Sequence, residues 1–344
     1  MSSDTNYAYH MQINCKYVIY GSGAEWSELI YWDVLEKDNV HFMNSRIPNN
    51  KSRWLTKLCK LHYIEKFDNI PIITKNRRIW YRTFVNNKFL SNSNNIIFIF
   101  QDWNALAYDN AFHTFLRNEY PNAKLVFMYT NLVNKSGANK KSYVKNLKEE
   151  YDMIITYDRQ DALKYNYELH PYLYSKYSLY SNTNKQGSDI FFVGNAKARL
   201  DTIHMLYKHL TEKGLKCDFY VFGVDDKHKL YNSDIKYNRW ISYRKILELI
   251  QESRCILEIV QEGASGSTIR AFEAVLYNKK LITNNKSISQ EPFYSNKYIQ
   301  IMDDIEDINI DFITSTDTVS YDEKFVEMFS PKRLFEKLYY KLYK

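Results

Sequence analysis

The sequence predicts an α/β protein with two doubly wound parallel sheets, one in each half of the chain. Three observations lead there. Short apolar runs bounded by turn residues alternate with stretches of helical periodicity, the pattern of parallel α/β structure. That pattern lapses over about 172–188, where Ser, Asn, Thr, Gln and Gly occur without periodicity, and then restarts. The length, 344 residues, exceeds one ordinary α/β domain and suits two.

In the first half the runs at 17–20, 70–74, 96–100, 124–129 and 153–156 read as strands. Residues 25–36, 108–118 and 143–150 read as helices between them, while 45–68 and 76–95 are Asn-rich and irregular. After the linker, strands are expected at 190–193, 219–222, 255–260 and 280–283. Helices are expected at 199–213, 243–252 and 268–277. A last helix, 330–344, carries Pro331 in its first turn and an apolar face of Leu334, Phe335, Leu338 and Leu342. Docking onto the first domain would bury that face. Its five lysines and arginines give a peripheral membrane contact as the alternative.

Composition narrows the classes. Hydrophobic residues are 45% and charged residues 25%, so each half can bury a core. The 31 tyrosines accompany abundant Asn, Lys and Ile, a coding bias rather than a ligand signal. A net charge of +7 suits a phosphate-bearing partner, but no arginine-rich stripe or zinc-finger spacing points to nucleic acid. Cys15, Cys59, Cys217 and Cys255 are far apart and form no CxxC pair, which argues against a disulfide framework or zinc site. With no signal-like or spanning apolar segment, a cytoplasmic location is expected, with the inner face of the membrane as the peripheral option.

Residues 258–285, EIVQEGASGSTIRAFEAVLYNKKLITNN, carry the most chemistry. A strand ends near Val260, a small-residue loop follows through Gly263, Ser265, Gly266 and Ser267, and a helix starts near Thr268. Unpaired N–H groups at a helix start suit a diphosphate, glycines let it approach the main chain, and Ser265, Ser267 or Thr268 can add a hydroxyl. Arg270 and Glu273 share a helical face. Either the carboxylate meets ribose or sugar hydroxyls while the guanidinium neutralises phosphate, or the two pair with each other. A second turn, FFVGNAKARLDTI, places Gly194, Lys197 and Arg199 between a strand and a helix.

These segments resemble the donor-binding region of glycosyltransferases of the GT-B fold, especially the group 1 family. The matching residues are Gly263, Ser265, Gly266, Glu273 and Ala274, then Asn278 and the strand Leu281-Ile282-Thr283. Bacterial capsule and lipopolysaccharide transferases with a QxGxxGxTxRxxEA-like loop are similar through Gln261, Gly263, Gly266, Thr268, Arg270, Glu273 and Ala274. Asn278 stands where the family often has glycine, and asparagine tolerates a left-handed helix end. The family's earlier glutamate, eight positions before Glu273, falls here on Ser265, with Glu262 three positions too early, so retention or inversion is left open. The resemblance implies that Lys197 or Arg199 balances the leaving diphosphate and that residues 237–241 contact the nucleotide base.

In the first half, GSGAEW at 21–26 lacks the third glycine of a dinucleotide loop, and Trp26 takes its place. In the GT-B reading Glu25 or Ser22 lies at the donor or acceptor. Asp102, directly after a buried-looking strand, is a candidate base for the acceptor hydroxyl, with His113 as second choice. Asp158 is a third choice that serves equally as a helix cap. Walker, HExxH, GxSxG and DxD signatures are absent, and Asp225-Asp226 and Asp303-Asp304 read as turns, so no metal or cofactor is expected.

The expectation is a GT-B protein, two Rossmann-like domains facing a central cleft. An acceptor domain covers 1–172 and a nucleotide-sugar donor domain 188–329, with helix 330–344 packed back on the first. It would move a sugar from a nucleoside-diphosphate donor, UDP the expected nucleotide, to an oligosaccharide or lipid-linked glycan of capsule or lipopolysaccharide. The rivals are a nucleotide-sugar epimerase on the same scaffold and a degenerate glycan- or nucleotide-binding protein without catalysis.

Overall fold

The longest apolar runs become central strands, because a parallel strand is covered on both faces and has no polar side to alternate. In the computed structural model, which describes residues 15–43, 53–63, 76–91, 93–136, 147–177, 187–260 and 266–344, the run NIIFIFQ forms β3 (Asn95–Gln101). It lies beside β1 (Cys15–Tyr20) and β4 (Lys124–Met128), nearly every residue of all three being buried. With β2 (Val40–Met43), β5 (Met153–Thr156) and β6 (Glu168–Leu169) they make an all-parallel sheet in the order β2-β1-β3-β4-β5-β6. Tyr20, Phe98, Phe100, Phe112 and Phe127 fill the core on one face.

The second sheet, also all parallel, contains β7 (Ser188–Asn195), β8 (Cys217–Phe222), β9 (Lys236–Tyr237), β10 (Ser253–Glu258), β11 (Lys280–Thr283) and β12 (Ile299–Ile301). Its order is β12-β11-β10-β7-β8-β9. Counted from β7 this is the 3-2-1-4-5-6 arrangement of dinucleotide-binding sheets, in which the winding reverses between the first and fourth strands. Here those strands are β7 and β10, paired Cys255 to Ile190 and Ile256 to Phe191.

The chain divides into two compact units: Met1–Ser175 together with Met328–Lys344, and Lys176–Glu327. The helix Pro331–Tyr343 belongs to the first. Phe335 stacks on Tyr17 with centroids 4.1 Å apart, and Leu334 and Leu338 are buried beside it. Lys337 and Lys341 reach the Glu168 carboxylate at 2.5 and 2.7 Å. The apolar face offered for a membrane is therefore committed to the core, and Tyr340 is the large apolar side chain of this helix left exposed. No helix among the described residues is long and apolar enough to cross a membrane.

Several expectations are corrected. The single helix at 25–36 is two, Glu25–Leu29 and Trp32–Leu35. The distant Ser175 hydroxyl donates to Ile30 O at 2.8 Å and accepts from Asp33 N at 3.3 Å, so it replaces the helical ladder at the break. The irregular stretches contain a helix, Arg53–Tyr63, and a 3₁₀ segment, Arg77–Phe84. The strand expected at 70–74, and 143–146 of the expected helix, lie outside the described residues.

His170, just past β6, is 4% exposed, and its Nδ1 lies 2.8 Å from Pro171 O. Burial pushes its pKa down to about 4. The folded state thus excludes a proton that the unfolded chain takes up below about 6.5. Stability from this group is present above pH 6.5 and is lost as pH falls towards 4, to a total of about 3 kcal/mol. Urea midpoints at pH 7 and pH 4.5 should show a smaller acid loss for His170→Gln than for the parent. Equal acid losses would contradict the assignment.

Candidate functional site

The reversal point of the second sheet collects the residues the sequence singled out. Gly194 is the penultimate residue of β7, and a Cβ there would come 3.3 Å from the Phe192 ring and 3.4 Å from Arg199 Nη2. Its lack of a side chain lets Arg199 lie across the strand end. Arg199 Nη2 donates to Asn195 O at 2.5 Å and Nη1 to Ile259 O, so one guanidinium ties the C-terminal ends of β7 and β10. Burial lowers its pKa, and it remains a cation. Lys197 differs. Its side chain is exposed, on a left-handed backbone with φ 45°. The two basic residues, interchangeable in the sequence, separate into a brace and an exposed charge.

The carboxylate at this junction was not among the predicted residues. Glu258 closes β10, is 3% exposed, and accepts from the Thr283 hydroxyl at 2.5 Å and from Thr268 Oγ1. Burial pushes its pKa up, while the two hydroxyls and the charges of Arg270 and Arg199 pull it back. The only signal in the sequence was an acid ending an apolar run, CILE. Thr268 is the N-cap of the helix Ile269–Leu276, and its Oγ1 accepts from Arg270 N at 3.1 Å. Glu258 therefore fixes where the helix begins.

Gly266 and Val260 are held from the segment that follows β11. Gly266, at φ 89°, donates N–H to Ser287 Oγ at 3.2 Å and accepts from Asn285 Nδ2 at 2.9 Å. Asn284 Oδ1 receives Val260 N at 2.7 Å. Ser267 Oγ is engaged by Glu291 at 2.9 Å rather than held ready for a phosphate. Gly263 and Ser265, with Gln261 and Glu262, lie outside the described residues.

Arg270 and Glu273 pair with each other, the second of the two alternatives. Arg270 Nη1 and the Tyr243 hydroxyl both donate to the Glu273 carboxylate, which is fully buried. Residues 271–276 are all buried, so position 273 faces the interior of the second unit. The helix ends as asparagine allows. Asn278 adopts φ 52°, Lys279 N donates to Ala274 O at 2.8 Å and Asn278 N to Val275 O at 3.3 Å.

In the first unit, the sheet reverses between β1 and β3. Asp102, after β3, is 1% exposed; Oδ1 accepts from Thr130 N and Oγ1 at 3.2 and 2.5 Å, and Oδ2 from Ser136 Oγ at 2.8 Å. Burial raises its pKa. It braces the loop after β4 and has no surface for an acceptor hydroxyl. His113 is likewise buried, with Glu150 Oε2 at 2.8 Å and the Tyr151 hydroxyl at 2.9 Å, because position 113 is on the core side of its helix. Asp158 caps the helix Arg159–Tyr165 through Asp161 N at 2.8 Å. Ser22 is buried, and its Oγ accepts from Ala24 N at 3.3 Å. Glu25, heading a helix just past Gly23 (φ 84°) and half-buried, is the candidate acid that still reaches solvent beside the reversal point. Among the described residues no group of three or more His, Cys, Asp or Glu side chains is placed to hold a metal ion.

No protein-family model matches the chain, and no curated protein matches it in sequence. Among solved structures it is similar to the glycosylation-associated protein (Gap123) complex from Streptococcus agalactiae, at 10% identity and a TM-score of 0.44. That likeness covers 78% of this chain and 57% of the other, so the chain spans little more than half of its length. It is similar to the glycotransferase of kitacinnamycin at 7% identity and a TM-score of 0.43, over 95% and 98% of the two chains. A third is the catalytic domain of starch synthase IV from Arabidopsis thaliana, bound to ADP and acarbose, at 9% identity and a TM-score of 0.42, over 77% and 75%.

Proposed function

We propose that the chain is a glycosyltransferase of the GT-B kind. It would seat the diphosphate of a nucleotide sugar, a UDP-linked one by expectation, at the reversal point of its second sheet. The observation that carries this is the convergence of Gly194, Lys197, Arg199 and the start of the helix Ile269–Leu276 at the ends of β7 and β10. Crevices at such points are where open α/β sheets bind ligands, and a helix start adds aligned N–H groups for an anion. In the reading, an acceptor hydroxyl of a surface glycan attacks the anomeric carbon and the bond to the diphosphate breaks. The hydroxyl's proton passes to a general base, and the diphosphate leaves with the electron pair, its charge balanced by Lys197.

Thermal unfolding with a panel of nucleoside diphosphates and nucleotide sugars is the first test. One nucleotide at a hundred times its Kd should stabilise the chain by about 2.7 kcal/mol. Lys197→Ala should weaken that shift and slow sugar transfer by about a hundredfold. Being exposed, it should leave the unliganded melting point within about 1 °C. Absence of any shift at millimolar nucleotide would leave a protein that does not use such donors. Conversion of the donor without an acceptor would make it an epimerase.

A further inference from the structure

One face of the first unit carries apolar and basic side chains that neither its core nor the sugar-transfer reading uses. The helix Arg53–Tyr63 turns Cys59 and Tyr63 into the core. On its opposite side, Trp54 is 63% and Leu61 37% exposed. They are seven residues apart, two helical turns, so they stand in line with exposed Lys57 between them and Lys60 at the flank. Such a helix is apolar on both sides, and among the described residues one side packs into the core while the other is exposed.

The 3₁₀ segment Arg77–Phe84 packs against this helix at His62, whose carbonyl receives Arg77 Nε at 3.1 Å and whose ring nitrogen receives Trp80 Nε1 at 2.9 Å. While Trp80 and Phe84 are buried, Ile79 is 55% exposed, with Arg78 and Arg82 exposed around it. Neither 53–63 nor 77–90 contains an aspartate or glutamate. Charge and apolarity thus coincide on two packed elements that carry no acid of their own, the neighbouring acid being Glu119, 3.9 Å from Arg82 at the rim.

We propose that this surface docks on an anionic lipid bilayer. Trp54, Leu61 and Ile79 enter the headgroup layer, and Lys57, Lys60, Arg78 and Arg82 meet the lipid phosphates and carboxylates. The aliphatic pair decides between polyanions. A nucleic acid would use the cations and could stack on Trp54, but it gains nothing from Leu61 and Ile79, whereas a bilayer buries both. The cations attract an anionic leaflet at about fivefold in affinity each. The proposal stands independently of the donor site.

The test is co-sedimentation of the full chain with phosphatidylcholine vesicles prepared with and without phosphatidylserine. Binding is expected only with phosphatidylserine, falling as salt shortens the range of the attraction. Lys57→Glu with Lys60→Glu should weaken it by at least about 25-fold. Trp54→Ser with Leu61→Ser should weaken it by about tenfold or more through lost apolar burial. Both pairs are at exposed positions, and unchanged melting curves would confirm their folding. If the lysine pair melts abnormally, Arg78→Glu with Arg82→Glu carries the same test. No binding to phosphatidylserine vesicles, or full binding by the charge-reversed chain, overturns the proposal. So does binding that ignores Trp54→Ser/Leu61→Ser and is competed by RNA, which would make the face a general polyanion site.

Discussion

A chain ending at Phe329 is expected to lose the folded state of its first unit. The missing helix, Pro331–Tyr343, buries Leu334, Phe335 and Leu338 almost completely. At about 1.5–3 kcal/mol per buried side chain these three supply roughly 6 kcal/mol, comparable to the whole stability of a domain, about 5–15 kcal/mol. Polar ties go with them. The Tyr17 hydroxyl loses Phe335 O at 3.1 Å, Asp33 loses the Ser330 hydroxyl, and β3 loses the Tyr343 hydroxyl at Ile96 O, 2.8 Å. Limited proteolysis should cut the first unit within minutes while fragments of the second persist. A truncated chain with the parent's urea midpoint would show that the helix is an ornament of the fold.

Glu273→Ala should be the most damaging single substitution in the second unit. It leaves Arg270, whose side chain is 13% exposed, without the carboxylate it pairs with, and removes the acceptor of the Tyr243 hydroxyl. Removing one partner of a buried ion pair costs about 3–5 kcal/mol. For a domain of this size that lowers the melting temperature by roughly 10 °C. Glu273→Gln keeps an acceptor for Tyr243 and should lose less. Replacing both members, Arg270→Met with Glu273→Leu, should recover much of the loss, since an apolar pair leaves no charge stranded. A Glu273→Ala protein melting within 1 °C of the parent would refute the brace. Under the proposed function, loss of sugar transfer in Glu273→Ala alone would therefore read as lost structure. Lys197→Ala, whose charge is exposed, separates chemistry from folding.

The central strands were legible because β3 and β7 are long apolar runs, and burial on both faces admits little else. The helix Ile269–Leu276 was legible from its loop, its cap and the asparagine at its end. Edge strands were not. β6 and β9 have two residues each and β12 has three, too few for any periodicity, and β2 reads VHFM with only Val40 buried. The break at Ile30 was hidden because its cause, Ser175, is far away in sequence. At the two reversal points, the sequence marked which residues stand at strand ends but not which way their side chains turn. Asp102, His113 and Glu273 all have the right chemistry and face inward. Glu258 went unremarked because one acid ending an apolar run says nothing of the two threonines that enclose it.

The first unit is interrupted, and this bears on the order in which the protein is made. All of Lys176–Glu327 is translated between Ser175 and the helix that covers the first sheet. At about 5–20 residues per second, a ribosome leaves that sheet without its last covering helix for on the order of ten seconds. The Tyr17 ring stays uncovered meanwhile, whereas the second unit is one continuous stretch that can close as soon as it emerges. The half synthesised first is then the half that finishes last, and a chaperone acting on the nascent chain would find its binding surface there.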